Sequence, residues 1–429
     1  MEEEAEMSRH HDTLGALPPH SGAAHQQTRG SEPADRGSGN AACCDAAPRD
    51  FPQEVLAELV AAATAAPSMH NAQPWRFRFD PASQTIGLSA DPERMLRVAD
   101  PDSRALHISC GAALFNLRLA VAVAGRHPVV RLLPDPGQPL LLATVRLAGP
   151  CRAQQHELEL HAAIRARRTN RSPFSRRPVP PGVLAELAEA ARIEGAMLHF
   201  PGRQEVSRLL RLARDAELEL LANPAYRAEL ARWAGGARDR EGIPGEAVGP
   251  RDPCGAAPVR VFTSARPAPA RYAWFEEEPQ LAVLSTRFAD RADWLRAGQA
   301  LQHALLTATR YGVSASFLTQ PFELRDHDVH ARQGVNARQD QVPVPVEFAA
   351  ASSSVAAAHH DDSRLLPSPQ GEPGLRHRPA AFPDYPQMVM RVGYATHDVV
   401  ITRREDPDVL DCRCDPPSWL LRGTGADPG

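Results

Sequence analysis

Two strings carry side chains whose types and spacing could do chemistry. The first is Ala66-Pro67-Ser68-Met69-His70-Asn71-Ala72-Gln73-Pro74-Trp75. It closes a helical pattern at Pro-Ser, then runs through a polar loop into a strand starting at Trp75. Asn71 offers a carbonyl acceptor and two N–H donors, and Ser68 a hydroxyl. Such groups suit the edge of a planar heterocycle that presents alternating donors and acceptors. The same spacing also reads as a helix-stop loop before a strand-starting tryptophan. The second string is Arg165-Ala166-Arg167-Arg168-Thr169-Asn170-Arg171-Ser172-Pro173-Phe174. Four arginines surround a hydroxyl at a helix end, and guanidinium forks bind phosphate bidentately, so a small phosphorylated ligand fits. A solvated basic face is the plainer alternative, though the Pro-Phe anchor that follows directly makes pure solvation less comfortable.

The elements around these strings follow from periodicity. Helices are predicted over 52–65, 105–124, 183–193, 204–222 and 294–311. Strands are predicted over 75–79, 140–147, 197–200, 281–285, 314–318 and 388–392. There is no run of βαβ units and no Gly-x-Gly-x-x-Gly turn, which argues against a dinucleotide-binding doubly wound sheet. A faint internal repeat runs through the folded part. Val55-Leu56-Ala57-Glu58-Leu59 recurs letter for letter at Val183-Leu184-Ala185-Glu186-Leu187. Gly111, Ala113, Leu114, Leu119, Gly125 and Pro134 match Gly298, Ala300, Leu301, Leu306, Gly312 and Pro321 at a constant offset of 187. Two repeats in the same order point to a fused pair of α+β halves.

Composition bounds the rest. The chain has 429 residues, a net charge of −4 and no lysine, so all 48 basic residues are arginines. No Schiff base or lysine general base is available. The near-neutral charge argues against a nucleic-acid partner, and no run approaches 18 consecutive apolar residues, so no membrane span is expected. An acidic start and seven cysteines without metal-ligand spacing suit a reducing cytoplasm and no metal site. Residues 1–48 and 411–429 read as disordered tails. Residues 49–150 form a first half, 151–333 a second half and 385–410 its C-terminal strand and arm. Residues 334–384 are low in complexity, either a surface insertion or an off-frame stretch.

Taken together, APSMHNAQPWRF, RRTNRSPF, WLRAGQALQHALLTATRYGV and PQMVMRVGYA…TRREDPDVL resemble the flavin-dependent nitroreductase family, and their order resembles its Acg-like subgroup. The resemblance implies an α+β nitroreductase-like fold in which two fused half-domains stand in for the family's dimer. It implies FMN as cofactor, with phosphate and N1/O2 contacts on Arg167, Thr169 and Arg171. Pro67, Ser68 and Asn71 come from the other half, a backbone N–H near flavin N5 from Thr319-Gln320, and a late phosphate pair from Arg403 and Arg404. Each half carries one side of a site, so one FMN per chain and a pseudo-dimeric monomer are expected. The implied activity is an NAD(P)H-dependent flavin oxidoreductase. A hydride from NADH or NADPH would pass through flavin N5 to a nitroaromatic, quinone or similar small acceptor, with Arg171 stabilising the reduced flavin. No general acid stands out; Tyr226, Tyr272 and His107 are conceivable. The Gly/Pro-rich stretch 233–250 resembles a lid. A lid that closed the flavin face would make the chain an FMN-sequestering protein instead, and a chain without flavin would be a redox-dead scaffold.

Overall fold

The computed structural model describes residues 51–234, 241–255, 257, 260–262, 271–326 and 385–397, with the backbone of 409–411. The first half runs through α1 (Gln53–Thr64), β1 (Trp75–Asp80), β2 (Thr85–Ala90), α2 (Arg104–Val123), β3 (Arg126–Leu132) and β4 (Leu141–Pro150). After α3 (Gln155–Ala166) the second half adds α4 (Pro181–Ile193), β5 (Met197–His199), α5 (Arg203–Ala222) and α6 (Pro224–Trp233). It continues with β6 (Gln280–Thr286), α7 (Arg291–Arg310), β7 (Val313–Phe317), β8 (Tyr385–Tyr394) and β9 (Val409–Asp411).

Local pattern explains most of these elements. In α1 the buried residues Leu56, Leu59, Val60 and Ala63 recur at helical spacing and make one apolar stripe. In β1 Trp75, Phe77 and Phe79 point inward while Arg78 and Asp80 point out, the period of a half-buried strand. β2 escaped the sequence reading because Gly87 and Ser89 dilute its signal; its inward face is Ile86, Leu88 and Ala90. α2 is apolar nearly all round, and an 18-residue window within it has a mean hydropathy of 1.6. Length and composition would let it cross a bilayer, but 89% of that window is buried in the fold. It is a core helix packed against α7, α1 and α3.

The two sheets have the order β3-β4-β2-β1-β9 and β5-β6-β8-β7. Apart from β9, each half repeats the same plan: helix, two strands, long helix, two strands, laid out as β3-β4-β2-β1 and β7-β8-β6-β5. α2 and α7 are each 20 residues long and begin at Arg104 and Arg291, the same 187-residue offset as the sequence repeat. The fold is therefore α+β, two fused half-domains joined through their long helices. One core lies between the first sheet and α1 and α2, another between the second sheet and α4 and α7.

Two departures from internal symmetry matter for the site. Residues 81–84 turn β1 directly into β2, whereas residues 200–279 separate β5 from β6 and hold α5, α6 and the Gly/Pro-rich stretch. This insertion packs on the first half, where Leu220, Tyr226, Leu230 and Trp233 share a core with Ala72, Leu96 and Ala99. Glu229 fastens it by accepting the N–H of Ala99 at 2.8 Å. The second departure is β9, which pairs parallel with β1, Phe77 opposite Val409. The sequence reading left the C-terminal arm with the second half and a tail from 411. The strand Val409–Asp411 crosses that boundary and joins the first sheet, where it covers an otherwise open edge.

Candidate active site

The loop after α1 is tightly wound. Ser68 precedes a single 3-10 turn, Met69–Asn71; its carbonyl accepts the Asn71 N–H at 3.0 Å and its Oγ the Gln73 N–H at 3.0 Å. His70, Asn71 and Gln73 have φ of 51°, 55° and 52°, three left-handed residues other than glycine within four positions. Such conformations persist only where the surroundings hold them, and they cluster at functional sites.

The loop after α3 comes from the other half. Arg167 caps α3, Thr169 bridges Ala315 of β7, and the Asn170 N–H donates to the Ala315 carbonyl at 2.9 Å. The arginine string is thereby stitched to the second sheet. Phe174 then anchors it, packed over the backbone at Gly393, where any Cβ would sit 2.7 Å from the ring.

These two loops, the N-terminal part of α2, the end of β7 and the insertion enclose one cavity with about 940 Å³ of empty space, part of it open to solvent. Among the sequence-selected residues, Pro67, Ser68, Thr169, Arg171 and Thr319 line it. Arg167 is 5% exposed and does not itself line the cavity; among the described residues its Nε and Nη1 have no hydrogen-bond partner. Burial, with Arg168 and Arg171 nearby, lowers its pKa to about 10. A guanidinium in that position calls for an anion. Arg171 is lowered to about 10 as well, by burial and by Arg260; it donates to the Ala247 carbonyl at 3.1 Å and lies over the Phe262 ring.

Two further selected residues do not line it. Asn71 does not line the cavity: its Nδ2 donates to the Gly242 carbonyl at 2.9 Å, and its own carbonyl accepts the Gly242 N–H at 3.2 Å. Gln320 is fully buried with its side chain turned to Glu217. Arg403 and Arg404 lie outside the described residues, as does all of 334–384.

Several lining residues had no local signal in the sequence. Arg104, the first residue of α2, pairs with Asp326 at 2.7 Å and donates to the Gln387 carbonyl at 2.8 Å. Arg391 on β8 pairs with Glu276 at 2.7 Å and is flanked by the rings of Phe174 and Phe275. Arg260 pairs with Glu323, donates to Thr319 Oγ1 at 2.8 Å and reaches the Tyr226 hydroxyl. Burial raises the Glu323 carboxyl, but Arg260, His70 and the hydrogen bonds from Arg260 and Thr319 together outweigh burial and hold it below its usual range. His70 lines the cavity edge-on to Phe262; burial, then Arg260, lower its pKa to about 3, so the ring is neutral.

The three conceivable acids sit in different settings. The Tyr226 hydroxyl is buried and donates to Glu323 at 2.6 Å, and burial and the nearby carboxylate push its pKa up. Tyr272 is 63% exposed and away from the lining. His107 bonds the Ser103 carbonyl at 2.6 Å and Arg291 at 3.0 Å, also away from the lining.

Of the Gly/Pro-rich stretch, residues 233–234 and 241–250 are described, and it borders this site through Ile243. Ala234 bridges Ile243, which lines the cavity, and the Ile243 N–H donates to the Trp233 carbonyl at 2.8 Å. Gly249, at φ +82°, lies so close that a Cβ there would stand 2.8 Å from the Arg171 backbone carbonyl oxygen.

The chain is similar to several known proteins. The profile described as "Nitroreductase family" matches residues 164–344. The chain is 35% identical over 276 residues to the Mycobacterium tuberculosis H37Rv protein named "Putative NAD(P)H nitroreductase Rv3131", covering 64% of this chain and 79% of that one. It is 31% identical over 278 residues to "Putative NAD(P)H nitroreductase acg" of the same strain, covering 63% and 82%. A solved nitroreductase with bound FMN from Desulfitobacterium hafniense DCB-2 is 12% identical, covering 63% of this chain and 98% of that one, with a TM-score of 0.27. On the extent and identity of the mycobacterial matches, the chain belongs to the nitroreductase family.

Proposed function

We propose that the cavity binds FMN and that the protein is a cytoplasmic NAD(P)H-dependent flavin oxidoreductase working on a small electron acceptor. The observation that carries this is the convergence of two motifs from opposite halves on one cavity, with Arg167, two residues from the lining Thr169, buried and its Nε and Nη1 unpartnered among the described residues. The donor set fits the cofactor. Arg104 faces Asp326, Arg391 faces Glu276 and Arg260 faces Glu323, so each has its counter-charge. Among the described residues Arg167 and Arg171 have no carboxylate partner, and two cationic side chains match a phosphate. Ala105, Ile108, Leu301, Phe317 and Met388 supply an apolar wall for a flat ring. Bound there, FMN would supply the redox chemistry, taking a hydride from NADH or NADPH and yielding it to a nitroaromatic, quinone or similar acceptor.

The residues of the chain then bind and position. Arg167, Arg171 and Thr169 hold the phosphate and the N1/O2 side, and Arg171 opposes the negative charge that the reduced ring gains. Arg260 holds Thr319 by its hydroxyl, which fixes the loop at the end of β7. Ser68 shapes its loop through the Gln73 N–H, and Pro67 closes the wall. Arg403, Arg404 and Gln320 remain part of the proposed binding set through the resemblance. With one arginine string and one Pro-Ser-x-x-Asn string, the chain builds one site without a second copy.

A second reading has its own observation. The Asn71–Gly242 pair of hydrogen bonds and the Gly249–Arg171 contact hold residues 241–250 at the cavity. A face kept shut in this way would make the protein a flavin store. Absorbance spectra of the protein with one equivalent of FMN, before and after anaerobic NADPH, separate the readings. Bleaching within seconds supports the reductase. A perturbed flavin spectrum that only dithionite bleaches supports the store, and an unperturbed spectrum removes both.

A further inference from the structure

The Pro67–Trp75 string places three polar side chains, Ser68, His70 and Asn71, at or beside the cavity, and the fold treats them differently. The Asn71 amide donates to the Gly242 carbonyl. Ser68 Oγ accepts the Gln73 N–H, which leaves its O–H to donate. His70 is 6% exposed and lines the cavity, and its Nε2 is buried with no hydrogen-bond partner among the described residues. Buried polar atoms are almost always paired, and leaving one unpaired costs about 1–3 kcal/mol. His70 also sits at φ 51°, a left-handed conformation that a residue with a Cβ adopts at a cost. Two local penalties at one cavity-lining residue point to a partner that arrives with the ligand.

The chemistry of that partner follows from the setting. Phe262 packs edge-on to the imidazole, with centroids 6.0 Å apart, and restricts its tilt. Burial, and after it Arg260 and Arg171 nearby, disfavours a protonated imidazole, so the ring offers one N–H and one lone pair. A neutral imidazole complements a neutral amide or imide edge rather than an anionic group. The anionic end of the ligand is assigned to Arg167, whose Nε and Nη1 are also unpartnered among the described residues.

We infer that His70, and not Asn71, is the residue of the Pro67–Trp75 string that hydrogen-bonds the ring edge of the bound flavin. Asn71 instead holds the segment that borders the site. This rests on the FMN reading above. Because the contact is to the ring, it acts equally on FMN and on riboflavin, which lacks the phosphate.

The test is a fluorescence-quenching titration of the apoprotein with FMN and, separately, with riboflavin. His70→Leu is expected to weaken both by the same factor, about tenfold for one lost hydrogen bond, and His70→Gln to recover part of the loss. Unchanged affinity of His70→Leu for both flavins overturns the inference, and so does a loss confined to FMN, which would place the effect at the phosphate. If His70→Leu fails to fold, His70→Gly, whose backbone accepts φ 51° freely, is measured against the same expectations. Wild-type protein that quenches neither flavin would sink the FMN reading and this inference with it, an outcome distinct from an unaffected variant.

Discussion

Gly111 and Gly298 face each other across the crossing of α2 and α7. A Cβ on Gly111 would stand 2.2 Å from the Leu295 carbonyl oxygen, and a Cβ on Gly298 would stand 2.0 Å from that of Ile108. Ile108 and Leu295 are themselves 187 positions apart, so the contact is reciprocal, as across a two-fold dimer interface. The obstacle in each case is helix backbone, which cannot rotate away as a side chain would.

This relationship sets the first expectation. Gly111→Ala and Gly298→Ala gain helix propensity worth about 1 kcal/mol, but overpacking costs typically about 1–3 kcal/mol or more. The steric cost wins, so each variant should lower the denaturation midpoint. Gly182→Ala, on an exposed face of α4 with nothing within 4 Å, should raise it slightly. Equal responses in urea melts would show that the two halves are not packed through this crossing.

Arg167→Ala should weaken FMN binding by roughly 1.5–3 kcal/mol, the range for hydrogen bonds to charged groups. Riboflavin affinity should hardly change. Isothermal titration with the two ligands checks it, and an equal loss for both would take Arg167 away from the phosphate.

Stability should respond to acid through the buried histidines. Burial lowers His107 to about 4, and burial with Arg260 lowers His70 to about 3, against an ordinary 6.5. The unfolded chain then binds protons that the folded chain refuses, so stability falls as pH drops below 6.5, down to about 4 for His107 and about 3 for His70. Asp100, raised by burial to about 7, acts in the opposite sense and costs stability as pH rises toward 7. Replacing His107 with Phe should flatten the dependence of unfolding free energy on pH between 6.5 and 4 by up to one proton, about 1.4 kcal/mol per pH unit. Urea melts at half-unit pH steps would reveal an unaltered slope if His107 were already protonated in the folded state.

Gly249→Ala should loosen the segment at the cavity. At φ +82° any Cβ is strained, and this one meets Arg171 Cβ and its carbonyl at 2.8 Å. Hydrogen exchange at Gly242 and Ile243, whose amides bond Asn71 and Trp233, should accelerate. Should the segment limit access, NADPH should also bleach bound FMN faster in this variant. Unchanged exchange would mean the segment is held by contacts other than those to Arg171.

What the sequence determined by itself is the content of the two halves. Helices and strands whose apolar residues keep a regular period were legible, as were the 187-residue repeat and the two motif strings, because each depends on residues close in the chain. Tertiary structure alone decided which polar groups reach the cavity. Asn71 and His70 are neighbours with the same left-handed backbone, yet one bonds Gly242, 171 positions away, and the other is left facing the cavity. Arg104, Arg260 and Arg391 are three among 48 arginines with no local mark. Their roles follow from partners at long range, Asp326 for Arg104 and Glu276 for Arg391. Burial makes a charge expensive unless it is matched, and the match is made by whichever side chain the fold brings alongside, a relation that no spacing along the chain encodes.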